Sequence, residues 1–406
     1  MTWTEFVASA PGKIILSGEH AVVHGSHAIA TVIDKRTYVT IQPCSQSIVS
    51  LNIIHKQLTQ THQWNIGEII DIQNNTRFHP PFTSYDDSDT NILNQLIQHA
   101  NGISTLSQFA TPALAVFILY ITHLLDDIST YQTGFTCTVH SELPMGSGLG
   151  SSASYTTALC TALLHLQTIT NQNKQCICHQ QYDNKHICIE RQKKINWWSY
   201  QGERLIHGNP SGVDNTCSTY GGIIIYKKGT EFSRITNVPC INILVSNTGV
   251  EKNTRQLVSN VSELLNKYTT IIQPIFNSIN EISINIVQLI KQYNTTIQAT
   301  TNDTLTDHTI KFISELSILF RLNQHLLNGL GVGHTSIDSI VQLCNQYQIP
   351  CQSKLTGAGG GGCVITLLNN AMTEQNIGEL IQQLITQCNV FDCFQTVIGQ
   401  DGARIE

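Results

Sequence analysis

Residues 142–155 read Glu142-Leu143-Pro144-Met145-Gly146-Ser147-Gly148-Leu149-Gly150-Ser151-Ser152-Ala153-Ser154-Tyr155. Three glycines at alternate positions free the backbone to take positive φ and to approach an anion closely. Residues 151–166 then place small and apolar side chains at helical spacing. The loop therefore opens onto a helix N-terminus, with its unpaired N–H groups and positive dipole end. That arrangement holds phosphate and points to an ATP-dependent enzyme. It is neither of the two commoner phosphate loops: no Lys-Ser/Thr pair follows it, and its Gly-x-Gly-x-Gly spacing is not the Gly-x-Gly-x-x-Gly of a dinucleotide-binding turn. Taken alone, it also reads as a flexible approach to a helix.

Upstream of the loop, residues 133–140 alternate as a strand, as do 6–8 and 37–42. The apolar run 113–125 is too short to span a bilayer and is broken by Thr122 and His123. It reads as a buried helix with Thr111 at the N-cap and Pro112 at the first helical position. Downstream, 222–226 predicts a strand and Lys227-Lys228-Gly229-Thr230 a turn, the expected boundary between a first domain, 1–230, and a second, 231–406. The second half predicts a strand at 240–245 and long helices over 253–268, 272–293 and 304–327. A helix from Ser336, a strand at 363–368, a helix at 374–388 and a strand at 394–398 follow. Strands mixed with helices in both halves predict an α+β protein.

A chain of 406 residues is long for one hydrophobic core, which agrees with two domains. The formal net charge of −6 argues against a nucleic-acid partner, since binding a phosphate backbone needs a basic face. No membrane partner is indicated either. The 13 cysteines are scattered and odd in number, and the first residues lack a basic stretch followed by an apolar core. Reduced thiols in a cytoplasmic protein are therefore the expectation. Cys176, Cys178, His179, His186 and Cys188 gather soft metal ligands in a polar stretch, but their spacing fits no common zinc finger.

Three further segments stand out: Pro11-Gly12-Lys13-Ile14-Ile15-Leu16-Ser17-Gly18-Glu19-His20, Gly202-Glu203-Arg204-Leu205-Ile206-His207-Gly208-Asn209-Pro210-Ser211-Gly212-Val213-Asp214-Asn215, and Lys354-Leu355-Thr356-Gly357-Ala358-Gly359-Gly360-Gly361-Gly362-Cys363. Together with the glycine loop they resemble the GHMP kinase superfamily. The run 207–215, Ser17 to Gly25 and Asn328-Gly329-Leu330-Gly331-Val332-Gly333-His334 resemble, within it, the mevalonate kinase family. The resemblance covers nearly the whole chain and is weakest over 43–110 and 170–194. It implies a two-domain fold with the active site in a cleft between the domains, and phosphorylation of the primary hydroxyl of mevalonate by Mg-ATP. Another small-molecule kinase of the superfamily, or a non-catalytic relative that senses ATP and metabolite, is the alternative.

Phosphoryl transfer needs charge neutralisation, a metal clamp and a positioned nucleophile. Ser152 can offer a hydroxyl to Mg²⁺ and Glu203 the carboxylate that a hard cation prefers; otherwise Ser152 caps the helix and Glu203 makes an ion pair on a helix face. The resemblance makes both metal ligands. Asp214 follows a turn-rich approach that can fix a side chain in a cleft or can place an N-cap, and the resemblance makes it the catalytic base. Lys13, otherwise a surface lysine, would pair with Asp214, lower the effective pKa of the attacking hydroxyl and offset charge on the phosphoryl group. By the same resemblance, Lys13, Ser141 and the run Gly146, Ser147, Gly148, Leu149, Gly150, Ser151 and Ser152 hold nucleotide. His20, helped by Glu19, and Thr254 contact substrate. The family's adenine-side asparagine falls near His55, a departure from the pattern. The glycines of 357–362 read either as a linker or as a close approach of backbone to the phosphate site. Prenyl diphosphates as feedback inhibitors and a homodimer complete the expectations.

Overall fold

The computed structural model describes residues 3–55, 58–75, 110–125, 134–170, 187–239, 241–298 and 305–406. Its strands are β1 (Phe6–Ser17), β2 (His27–Pro43), β3 (Ile48–His55), β4 (Leu58–Asn65), β5 (Phe135–Ser141), β6 (Ile223–Lys227), β7 (Ser233–Ile235), β8 (Ile241–Asn247), β9 (Gln352–Leu355), β10 (Cys363–Leu367), β11 (Asp392–Ile398) and β12 (Arg404–Ile405). Its helices are α1 (Ile66–Asn75), α2 (Ala110–His123), α3 (Ser151–Thr170), α4 (Ile189–His207), α5 (Val213–Tyr220), α6 (Thr254–Lys267), α7 (Thr269–Gln298), α8 (Leu305–Gly329), α9 (Thr335–Gln346) and α10 (Glu374–Cys388), with a short 3-10 turn at Ala21–His24.

Four strands, β1, β5, β6 and β11, pair directly with β2. One edge of it carries β1 along its length, antiparallel, from Phe6 opposite Ile41 to Ser17 opposite Ile29. The other edge carries β6 over residues 27–31, meets β11 at Ile33 opposite Ile398, and carries β5 over residues 37–43. Parallel pairing of β5 with β3, and antiparallel pairing of β3 with β4 in a hairpin, extend the sheet one way. The antiparallel series β11, β8, β10, β9 extends it the other way. Strands from both sides of the 227–230 turn thus share one sheet.

The α+β character holds. The strand expected at 6–8 runs on to Ser17, because register shifts at Pro11/Lys13 and Ile15/Ser17 interrupt the alternation that marks a strand in sequence. Helix α2 begins at Ala110, so Thr111 and Pro112 lie inside its first turn, where the missing N–H of proline has no intrahelical partner to lose. Neither β3 nor β4 was anticipated from sequence: β3 does alternate, with Val49, Leu51 and Ile53 buried, whereas β4 reads Leu-Thr-Gln-Thr-His-Gln-Trp-Asn and carries few apolar side chains.

Helix α3 is buried continuously from Ala153 to Leu166. Its small residues let it lie close on the sheet, where the Ser154 hydroxyl donates to the Ala10 carbonyl at 2.7 Å and lies 2.9 Å from Thr37 Oγ1. One apolar cluster fills the space among α2, α3, α4 and β3 to β5. A second lies among α6, α7, α9 and α10. A third joins Ile14, Leu16 and Ile29 of the first half to Val245, Ile365, Phe312 and Phe320 of the second, so the junction between the halves is itself packed core.

Candidate active site

The loop between β5 and α3 has the backbone its sequence requires. Gly146, Gly148 and Gly150 take φ of 70°, 85° and 72°, values that favour glycine. Lys13, just past the first register shift of β1, ties strand to loop: its N–H donates to the Leu149 carbonyl at 2.8 Å and its Nζ reaches the Gly148 carbonyl at 3.4 Å. Ser147 is buried with its hydroxyl donating to the Pro144 carbonyl at 3.0 Å. At the end of β5, Ser141 Oγ lies 2.9 Å from Thr37 Oγ1 and accepts from Leu143 N. His55 Nε2 lies 3.1 Å from the Leu143 carbonyl, which places it beside the start of this loop.

Lys13 Nζ forms an ion pair with Asp214 Oδ1 at 3.2 Å; the lysine is buried and the carboxylate is a third exposed. Asp214 stands in the first turn of α5, but the N-cap is Gly212, in the left-handed region at φ 83°. The capping alternative for Asp214 is thereby excluded. A strand near the start of the chain and a helix far along it place carboxylate and ammonium side by side.

Glu203 projects from α4 toward the start of α3. Ser152 Oγ donates to Glu203 Oε2 at 3.3 Å and lies 3.0 Å from His207 Nε2, which is itself 3.8 Å from Glu203 Oε2. The other carboxylate oxygen, Oε1, is buried with no hydrogen-bond partner among the described residues. Burial, reinforced by the Asp214 charge and opposed by Ser152 and Lys13, pushes the Glu203 carboxyl up to about 8. A buried carboxylate with an orphaned oxygen is stabilised by a cation. One carboxylate and one hydroxyl also suit Mg²⁺, which keeps waters and takes phosphate oxygens for its remaining positions. The residues present fit that ion. His207 was missed from sequence, although Glu203-x-x-x-His207 is the spacing that puts two side chains on one helix face. Of the soft-ligand group, Cys176, Cys178, His179 and His186 lie outside the described residues. Among the described residues no group of three or more His, Cys, Asp or Glu side chains is arranged to hold a metal ion.

His20 has the backbone conformation φ 59°, ψ −49°, rarely taken by a residue with a side chain, and is buried. Its Nε2 lies 2.8 Å from the Ala358 carbonyl, while Nδ1 has no partner among the described residues. Burial lowers its pKa against the opposing effects of Ala358 and Glu19. Glu19 does not turn toward open space: it is fully buried, paired with Lys354 and accepting from Asn323 Nδ2 at 3.0 Å. Thr254 lies exposed at the first residue of α6, with no hydrogen bond to the Lys13–Asp214 or Ser152–Glu203 pairs among the described residues.

The glycines at 357–362 pack rather than link. Gly360 N donates to the Val332 carbonyl at 2.9 Å, and a Cβ at Gly359 would fall 2.1 Å from that oxygen. The 328–334 motif thus lies against the glycine run. Thr356 Oγ1 accepts from Ile15 N at 2.8 Å and anchors the run to β1 next to Lys13.

Residues 115–222 match the family model of the GHMP kinases N-terminal domain, residues 309–384 that of the GHMP kinases C-terminal domain, and residues 2–43 a galactokinase galactose-binding signature. The mevalonate kinase of Mus musculus is 36% identical over 400 residues, covering 98% of this chain and 94% of its own. That of Arabidopsis thaliana is 32% identical over 410 residues, covering 99% of each. Among solved structures, the Methanococcus jannaschii mevalonate kinase superposes with a TM-score of 0.63 at 24% identity, over 98% of this chain and 100% of its own. The L. major mevalonate kinase in complex with R-mevalonate gives 0.63 at 21% identity, over 99% and 97%. The structural likenesses share this fold.

Proposed function

The chain belongs to the mevalonate kinase family, and from that premise we propose how its site works. Its reaction is the transfer of the γ-phosphoryl group of ATP to the primary hydroxyl of mevalonate, giving 5-phosphomevalonate and ADP. The observation that carries the assignment of roles is the Lys13–Asp214 ion pair, set against the Gly148 carbonyl of the phosphate loop.

In our reading Asp214 accepts the hydroxyl proton as the oxygen attacks phosphorus. The Lys13 ammonium favours the alkoxide-like oxygen and offsets negative charge on the phosphoryl group in transit. The amides from Gly146 to Ser152, Lys13 and Ser141 hold the phosphate chain. His20 offers its unpartnered ring nitrogen to the substrate carboxylate, and Thr254 borders the same region. Glu19 serves this region through His20, its own carboxylate being occupied by Lys354. Ser152 and Glu203 would hold Mg²⁺, which when bound would neutralise phosphate charge. Closely packed side chains around α3 keep water from the buried side of the loop.

The same proposal includes inhibition by prenyl diphosphates, a homodimer and a cytoplasmic setting, the last supported by ten described cysteines with free thiols. No helix among the described residues is long and apolar enough to cross a membrane. ADP release with mevalonate, homoserine, galactose and phosphomevalonate tests the assignment. Turnover with mevalonate at least about 100-fold above the others is expected, as befits a site that must leave buried polar groups unpaired with the wrong acceptor. A panel without mevalonate-dependent turnover overturns it.

A further inference from the structure

Lys252 stands in the connection between β8 and α6, where no motif drew attention to it. Its ammonium lies between two glycine segments that come from opposite halves of the chain. A Cβ built on Gly148 would fall 2.9 Å from Lys252 Nζ, and one on Gly362 only 2.4 Å from it. Both glycines have positive φ, 85° and 71°, and any larger residue at either position would displace the ammonium. The connection is also fastened to the glycine run: Thr248 N and Oγ1 each donate to the Gly362 carbonyl at 2.9 Å, and Gly362 N donates to the Val250 carbonyl at 3.3 Å.

Among the described residues the charge itself is uncompensated. Lys13 is paired with Asp214 and Lys354 with Glu19. Lys252 is half-buried, and among the described residues its ammonium makes no hydrogen bond or ion pair. Burial lowers its pKa, Cys363 works against that and the Lys13 charge adds to it. Lys13 Nζ reaches the carbonyl of the same Gly148, so two like charges flank one residue of the phosphate loop. Two cations in a half-buried crevice repel one another, and a dianion placed between them removes the repulsion and restores what desolvation costs.

We propose that Lys252 is a second phosphoryl-binding cation, whose ammonium takes oxygens of the ATP γ-phosphoryl group that Lys13 also faces. The inference rests on the ATP-dependent reading of the site. The γ group is singled out because the partner of Lys13 is Asp214, the group placed to deprotonate the alcohol that attacks this phosphorus. The glycines at 148 and 362 then serve to leave room for the ammonium as well as for nucleotide.

Equilibrium binding of Mg-ADP and of the Mg²⁺ complex of the non-hydrolysable imido analogue of ATP, without any acceptor alcohol, tests the proposal on wild type, Lys252→Met and Lys252→Arg. In Lys252→Met the preference for triphosphate over diphosphate should fall at least about tenfold, the loss of one charge-assisted contact, with ADP affinity within about threefold of wild type. Lys252→Arg should keep most of the preference. The ligand-free Lys252→Met protein should melt no lower than wild type, since the substitution removes an unpaired charge. An unchanged preference in Lys252→Met, an equal loss for both nucleotides, or a protein that melts lower or fails to fold would each overturn the proposal. Because no alcohol is present, failure here is distinguishable from failure of mevalonate turnover.

Discussion

Asp214 and Lys13 meet as an ion pair, and their replacement separates chemistry from folding on the proposed reading of the site. Asp214→Asn and Lys13→Met should each lower turnover by about 100-fold or more, the range for a positioned acid-base or electrostatic group. Circular dichroism should show the fold intact. Near-normal turnover by folded Asp214→Asn would remove the base assignment. On the proposed reading Ser152→Ala, which removes a hydroxyl, and Glu203→Gln, which removes the carboxylate charge, should raise the Mg²⁺ concentration needed for activity, and a magnesium titration that does not move in either variant places the cation elsewhere. These four residues were legible because each sits in a motif whose local chemistry is distinctive. Glu19 was legible as important but not for its partner, since nothing near it in sequence announces Lys354. His207 lies within a motif but was passed over in favour of its neighbours, and Lys252 carries no motif of its own and acquires its meaning only from what surrounds it.

Helix α4 crosses close to α2 and α3, and Gly202 is where the approach is tightest. A Cβ there would lie 2.6 Å from Tyr120 Oη and 2.7 Å from Thr156 Cγ2, both on buried residues. Overpacking of this kind costs roughly 1–3 kcal/mol, and a Cβ this close belongs at the upper end. The ~1 kcal/mol that alanine gains over glycine within a helix recovers only part of it. Gly202→Ala should therefore unfold at lower urea. It should also need more Mg²⁺, because Glu203 is the next residue; an unfolding midpoint equal to or above wild type contradicts the packing argument. Helix α3 makes a second prediction through His165, which burial, with Arg191 adding to it, depresses from 6.5 to about 4. The unfolded chain then takes up the proton first as pH falls. The contribution of neutral His165 is complete above about pH 6.5 and is lost toward pH 4. In His165→Leu the unfolding free energy should fall less across that interval, and parallel pH profiles for the two proteins would sink the assignment. Helices α3 and α6 to α8 were readable from periodicity. By contrast, α4 was hidden by its many polar residues, and its inward face emerges only where Trp198 and Leu205 meet α2 and α3.

At the scale of the molecule, a loop of free amides at a helix N-terminus would recognise phosphate oxygens and place little demand on what is attached to them. A long prenyl chain on a diphosphate gains about 25 cal/mol for each Å² of apolar surface it buries, and so offsets lost base contacts. Farnesyl diphosphate should accordingly inhibit in competition with ATP. Steady-state inhibition at several concentrations of both substrates decides this, and a pattern competitive with mevalonate, or no inhibition at micromolar inhibitor, refutes it. The sequence by itself determined what local chemistry can determine: glycines that permit positive φ, a helix start that gathers free N–H groups, periodic apolar faces, and the motifs that mark a kinase of this family. Tertiary structure alone decided that strands from both halves share one sheet through Ile33 and Ile398, that Lys354 holds Glu19 and that Lys252 stands between two glycine loops with no ionic partner among the described residues. The physical reason is range, for positive φ and helical period are properties of neighbouring residues, whereas strand pairing, burial and the partner of a charge depend on segments that only folding brings together.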